Sequence, residues 1–277
     1  MNKKIGIIFA LVVVAFLVMG TASAGLFDFL GGGNNSGNAT ANDESTFIVG
    51  FDAEFPPYGF KDDSGNYTGF DLDLAKEVCK RNNWTFKAQP IDWDAKDAEL
   101  DSGSIDCIWN GFTIDGREND YLWSDPYFDN KQVFVVKSDS GISSIDDLSG
   151  KTVETQKDSS ALAALQGDNK TIADKFGTLT EVADYNTAFM DLESGACQAV
   201  AMEIGVAEYD IKNKNQSDAF SILDKEITTE KYGVGFKKGN TDLKDKVQST
   251  LDEMFKDGTV VKIAQKYGIS QDALIQK

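Results

Sequence analysis

From residue 46 onward the chain alternates between short β-branched or aromatic runs and stretches with helical periodicity. TFIVGFD (46–52) predicts a strand. Phe55-Pro-Pro-Tyr58 excludes helix beside it, because proline removes a backbone donor and restricts its predecessor. After a turn at Asp62-Asp63-Ser64-Gly65-Asn66, the run from Phe70 to Cys79 puts Phe70, Leu74, Ala75 and Val78 on one helical face. WTFKAQPI (84–91) predicts a strand, 94–101 a short helix, and Ile105 to Trp109 a buried strand. Beyond residue 130 the order repeats as QVFVV, KTVET, a helix from Ser160, TLTEVA, a helix near 187–193, QAVAM and a helix from about 204. YGVGF (232–236) predicts one more strand, and 241–256 and 259–267 predict amphipathic helices. Such alternation predicts an α/β fold with a mostly parallel sheet covered on both faces. Residues 46–277 suffice for two modest cores or one large one.

Composition removes several functions. Lys and Arg number 27 against 45 Asp and Glu, a net charge of −18. A nucleic-acid binder needs a basic face to replace phosphate counterions, so no nucleic-acid partner is expected. The chain has no His, which excludes HExxH zinc sites and the Ser-His-Asp and Cys-His catalytic groups. The three cysteines, Cys79, Cys107 and Cys197, show no CxxC spacing and read as buried small hydrophobes. Asp71 and Asp73 invite a metal reading, but the Gly and distal Glu of a calcium loop are missing. Neither a metal nor another cofactor is expected.

The N-terminus points to export. Asn2-Lys3-Lys4 is a basic n-region, Ile5 to Met19 an apolar run, and Ala22-Ser23-Ala24 an A-x-A cleavage pattern. Residues 1–24 therefore read as a signal peptide or, if uncut, an N-terminal anchor. Residues 25–45, with GGGNNSGNATANDES from 31, read as a flexible tether. Both alternatives put the remaining chain outside the cytoplasm, secreted or at the outer face of the membrane. Six N-x-S/T sequons, at Asn34, Asn38, Asn66, Asn83, Asn169 and Asn215, fit a glycosylated exterior protein.

A resemblance emerges from an ordered set of short motifs. Phe55-Pro-Pro-Tyr58, Gly65 and GFDLDL (69–74) resemble the opening of the polar amino-acid binding proteins that serve ABC importers. Asp92-Trp93, Ile105-Asp106, WNGFTI (109–114), Arg117, WSDPY (123–127), GKTV (150–153), YGVGF (232–236) and Asp257-Gly258 follow in family order. The resemblance covers essentially all of 46–277. It implies two Rossmann-like α/β lobes joined by two hinge segments with the ligand cleft between them, a periplasmic binding protein-like architecture. Lobe 1 would be 46–126 plus 232–277, lobe 2 131–228, and the hinges 127–130 and 229–231. Closure of such lobes around a ligand is a known mode of domain motion.

The family match assigns roles that the chemistry of an amino acid explains. A buried carboxylate wants an Arg fork, and Arg117 is one of only two arginines, the other being Arg81. The Thr113–Arg117 loop is one residue shorter than is usual in the family. Glu203 follows a buried strand, where relatives carry Asp, and would take the ammonium. Ser159 and Ser160 open a helix, a natural N-cap position that the family also uses to hold the carboxylate. Asp158 stands there in place of the family's Gly. Thr113 would donate its hydroxyl, and the backbone of Asn110 and Gly111 would receive the ammonium or side chain. Phe55 and Trp93 match the aromatic pair that sandwiches the ligand, and Asp52 could face its side chain, favouring a basic or amide-bearing one.

The resulting expectation is a non-enzymatic, monomeric protein that captures a polar L-amino acid and delivers it to an ABC permease. A dehydratase acting on a cyclic acid is the alternative on the same scaffold and would need a positioned general acid in the cleft. A ligand-sensing ectodomain, requiring a separate signalling partner, ranks last.

Overall fold

The computed structural model describes residues 45–213 and 218–275. The signal or anchor segment 1–24, nearly all of the tether, and the sequons at Asn34, Asn38 and Asn215 lie outside the described residues. Two sheets organise the rest, and their strands follow the predicted alternation closely.

The chain begins with β1 (Thr46–Phe51), then a small antiparallel sheet of β2 (Glu54–Phe55), β3 (Gly59–Lys61) and β4 (Tyr67–Thr68). Helix α1 (Phe70–Asn82) leads to β5 (Thr85–Pro90), α2 (Lys96–Ser102), β6 (Cys107–Ile108) and β7 (Leu122–Trp123). The second sheet is built from β8 (Phe128–Lys137), β9 (Thr152–Gln156), β10 (Thr178–Val182), β11 (Ala199–Glu203), β12 (Phe220–Ile222) and β13 (Thr228–Tyr232). Between them run α3 (Ser160–Gln166), α4 (Lys170–Ala173), α5 (Tyr185–Ser194) and α6 (Ile204–Asn213). The chain then returns through β14 (Gly235–Phe236) and ends in α7 (Thr241–Lys256) and α8 (Thr259–Lys266).

The first sheet has the order β5-β1-β6-β14-β7 and the second β10-β9-β11-β8-β12, with β13 also on β8. Each is parallel on one side: β5, β1 and β6 in the first, β10, β9 and β11 in the second. Antiparallel pairing enters with β14 in the first and β8 in the second, so the sheets are mixed rather than mostly parallel. The reason lies in the crossings. A strand that carries the chain from one sheet to the other, or back, arrives without a helical crossover and so runs against its neighbour.

The crossings also correct the reading of YGVGF as one strand. Tyr232 ends β13 in the second sheet and Gly235 begins β14 in the first. Between them the Gly233 N–H donates to Phe112 O (2.9 Å), and Val234 exchanges hydrogen bonds with Ser124 (3.0 and 2.8 Å). The outgoing segment is tied to the returning one again where Tyr127 N–H meets Tyr232 O at 3.0 Å.

Burial follows the predicted faces. Phe70, Leu74, Ala75 and Val78 of α1 are fully buried against β1, whose Phe47, Val49 and Phe51 are buried too. Phe134, Val136, Val153 and Ala201 form a core on the second sheet. The three cysteines are free and buried. The Asn169 amide of one sequon donates to Ile227 O at 3.0 Å, whereas Asn66 and Asn83 are exposed. Among the described residues no helix is long and apolar enough to cross a membrane.

Candidate ligand-binding site

A narrow cavity lies between the two sheets, lined by Phe55, Trp93, Asn110, Gly111, Thr113 and Arg117 from the first part of the chain. Gln156, Ser159, Ser160 and Glu203 line it from the second sheet and its helices. Nine of the ten residues singled out from sequence thus share one cavity, and Gln156 joins them. The walls approach so closely that its centre holds little more than one water-sized sphere.

Asp52 is the residue that does not line it. Its buried carboxylate accepts from Glu54 N–H (2.8 Å) and from Gln156 Nε2 (2.6 Å), so the cavity wall is Gln156 with Asp52 behind it. Burial pushes the Asp52 carboxyl up to about 6, against the pull of those two hydrogen bonds.

The loop after β6 carries Asn110, Gly111 and Thr113. Gly111 has φ +57°, and a Cβ there would come within 2.9 Å of Phe55 and 3.1 Å of Tyr232. Side chains rarely adopt that φ, and the close rings leave no space for one. The loop is held from behind by Asp71 on α1, whose Oδ2 accepts from Gly111 N–H and Oδ1 from Tyr127 Oη at 2.8 Å. Burial pushes the Asp71 carboxyl up to about 7. Sequence reasoning weighed Asp71 only as a metal ligand. The signal was available: an acid beside Phe70 that, like Leu74 and Val78, faces the core.

Arg117 and Arg81 divide the work of the two arginines. Arg81 is committed to Glu77 (3.0 Å) and Asp257 (2.8 Å), tying α1 to the turn between α7 and α8. Arg117 makes no ion pair among the described residues. Its Nη1 donates to Thr113 O and Ser160 Oγ (both 3.4 Å), its Nη2 to Asp158 O (3.1 Å), and its guanidinium lies 5.4 Å from the Phe112 ring centre. The shortened loop therefore does not keep Arg117 from the second sheet's residues. Ser159 is the N-cap of α3, its Oγ accepting from Leu162 N–H at 3.1 Å.

At the other end of the cavity Glu203 is buried, its Oε1 accepting from Gln132 Nε2 at 2.8 Å and its Oε2 making no hydrogen bond. Burial, then the neighbouring charge of Glu230, push its carboxyl up to about 7. The aromatic wall is Phe55, 5.6 Å from Tyr58 and 6.1 Å from Tyr185 between ring centres, and Trp93, edge-on to Phe112 at 5.4 Å.

Two ion pairs span the mouth. Lys157 meets Asp94 at 2.9 Å, and Lys96 meets Asp158 while its ammonium lies 5.2 Å from the Trp93 ring centre. Lys96 is only 2% exposed, against 52% for the Asp158 side chain. Asp158 has φ +55°, the conformation that suits the glycine expected there.

Residues 47–270 match a known family, the bacterial extracellular solute-binding proteins, family 3. The chain belongs to this family. The L-cystine-binding protein TcyJ of Escherichia coli (strain K12) is 31% identical over 232 residues, covering 81% of this chain and 83% of the relative. A substrate-binding protein of an ABC uptake transporter from Streptococcus pneumoniae, solved with bound histidine, superposes with a TM-score of 0.81 at 32% identity, covering 85% of this chain and 96% of that one. An ancestral arginine-binding protein bound to glutamine superposes with a TM-score of 0.74 at 36% identity, covering 82% and 99%. These family 3 relatives are amino-acid-binding proteins with type II periplasmic binding protein architecture.

Proposed function

We propose that the chain captures a free polar L-amino acid outside the cytoplasm and delivers it to an ABC permease. The observation that carries this reading is the pairing of opposite unmet charges in one cavity: among the described residues Arg117 has no acid partner and Glu203 no cation. An α-amino acid carries the complement of both. Arg117, with the Thr113 and Ser160 hydroxyls, would receive the carboxylate through charge-assisted hydrogen bonds. Glu203 and the backbone of Asn110 and Gly111 would receive the ammonium. Phe55 and Trp93 would enclose the aliphatic part, and Gln156, backed by Asp52, would meet the side chain.

The closeness of the walls supports admission by hinge opening, with 46–126 plus 232–277 as one lobe, 131–228 as the other and 127–130 and 229–231 as hinges. A monomer needs no partner chain to complete this site. Residues 1–24 would export the chain or anchor it, and 25–45 would tether it.

The test is a thermal-shift screen of protein unfolded and refolded to strip bound ligand, against the standard amino acids, cystine and several cyclic acids. A ligand that binds only the native state raises the melting temperature by mass action. A large shift from one amino acid or one chemical class supports capture and identifies the substrate; no shift from any of them overturns it. One observation favours the dehydratase alternative, a buried Glu203 carboxyl held near neutrality as a general acid would be. Consumption of a cyclic acid, unaffected by amino acids, would establish that activity instead.

A further inference from the structure

Behind the cavity lies a row of buried polar side chains on three adjacent strands. Glu203 of β11 stands directly opposite Gln132 of β8, and Asn130 of β8 directly opposite Glu230 of β13. Gln132 Nε2 donates to Glu203 Oε1 and to Glu230 Oε1, each at 2.8 Å, and Asn130 Nδ2 donates to Glu230 Oε1 at 2.7 Å. Two carboxylates are thus joined through one amide, and all four residues are buried.

Donors and acceptors in this row do not balance. Glu203 Oε2, Gln132 Oε1 and Asn130 Oδ1 are buried acceptors without a hydrogen bond within normal distance, and the Tyr185 and Tyr232 hydroxyls beside them are buried donors equally unpaired. Neither carboxylate forms an ion pair with Lys or Arg among the described residues. The groups around them are the Tyr185 phenol from α5, the Tyr58 phenol after β2 and the Tyr232 phenol of β13, with the Thr113 and Ser160 hydroxyls against Glu230. Arg117 reaches Ser160 from the far side of that hydroxyl, and Asp71 lies beyond Tyr58. Two buried negative charges side by side without a cation are costly, and a buried acceptor without a donor adds to that cost. The phenols can supply hydrogen bonds but no charge; one added proton removes one of the two charges.

We propose that Glu203 and Glu230 act as one unit sharing a single proton, and that the ligand's ammonium displaces it, so that amino-acid capture releases a proton. The O–H bond of the shared acid breaks, its electron pair stays on the carboxylate, and the proton passes to solvent as the ammonium takes its place at Glu203. This rests on the amino-acid reading of the cavity. Glu230 is then a positioning residue, acting on the ligand through Gln132 and Glu203. Burial raises both carboxyls, Glu203 to about 7, which sets the window. Affinity should fall by about tenfold for each pH unit below the pair's titration point, and should level off above it.

The first test needs no ligand. Infrared spectra of the protein between pH 5.5 and 9 should show the carbonyl stretch of a protonated carboxyl group. That component should be missing from the double variant E203Q/E230Q and should titrate at lower pH in E230Q. Asp52 and Asp71 contribute equally to every variant and cancel. Superimposable wild-type and double-variant spectra across this range would overturn the shared proton. The second test is calorimetry with L-glutamine or L-arginine in phosphate and in Tris. At pH 6 the heats should differ by close to one proton released per amino acid bound, and at pH 8, where the ligand's own ammonium is still protonated, they should nearly agree. Binding with equal heats at both pH values would overturn the coupling. The spectral component present while no amino acid binds would instead remove the amino-acid reading, and the coupling with it, and leave the shared proton standing.

Discussion

The rim and the floor of the cavity handle charge in opposite ways. At the rim, Asp94 meets Lys157 and Lys96 meets Asp158, each acid with its base across the gap between the sheets. At the floor, Glu203 and Glu230 face one another through an amide, with no base among the described residues to meet them. The Lys157–Asp94 pair is exposed, so its charges cost little and their pairing gains little, whereas the buried Lys96 ammonium has its cost met by Asp158 and the Trp93 ring. The buried floor is where an unmet charge is expensive, and therefore where a ligand of opposite charge has most to gain. The molecule balances its charges where the walls meet and leaves them unbalanced where a ligand would sit.

The contrast can be broken by substitution. The largest effect expected is from Arg117→Ala, which should weaken amino-acid binding by about 2–5 kcal/mol by leaving a buried carboxylate unpaired. The fold should survive, since Arg117 is bonded only to loop groups and Ser160. Retained affinity by calorimetry would remove it from the site. Next comes Asp71→Ala, which strands the Gly111 N–H and the Tyr127 hydroxyl in the core. It should cost about 1–3 kcal/mol of stability for each stranded group in denaturant titrations, with part recovered in Asp71→Asn.

A third prediction concerns pH. Burial holds Asp52 near 6 and Asp71 and Glu203 near 7, above their ordinary values. The folded state therefore binds more protons than the unfolded chain between the ordinary carboxylate range and about pH 7. The stability these groups confer is complete below that range and is lost as pH rises through 6 to 7. Asp73 and Asp257, both lowered, act only at more acidic pH. The melting temperature of the ligand-free protein should fall between pH 5 and 8, and a rise would contradict the assignment. The smallest effect belongs to the rim: Lys157→Ala should change ligand affinity by no more than about threefold, and less at high salt. If it matched Arg117→Ala, the distinction between rim and floor would collapse.

How much of this was legible depends on what kind of pattern each residue joins. The strands and helices followed from hydrophobic periodicity, which reports burial on a face. Arg117, Thr113 and Glu203 stood out because motifs in order located them at strand ends. YGVGF was misread because its apolar residues are buried throughout, although the backbone between Tyr232 and Gly235 leaves one sheet for the other. Glu230 escaped notice because ITTEKY has no periodicity that marks an inward-facing acid. Its meaning comes from Asn130 and Gln132, which lie near it only through strand pairing. Asp52 was identified as a polar residue in the right region, but which of Asp52 and Gln156 reaches the cavity is a matter of side-chain packing.

The position of β14 bears on the order in which the protein can be built. This two-residue strand lies between β6 and β7, inside a sheet whose other strands all come from residues 46–123. Its neighbour Val234 and its own Phe236 are buried in that sheet's core. Until synthesis has passed residue 236, therefore, β6 and β7 have an unfilled gap between them. A nascent chain can assemble pieces of its first sheet but cannot seal it. Under the export proposed for this chain, a core that closes only after the whole second sheet has been made would delay premature folding on the wrong side.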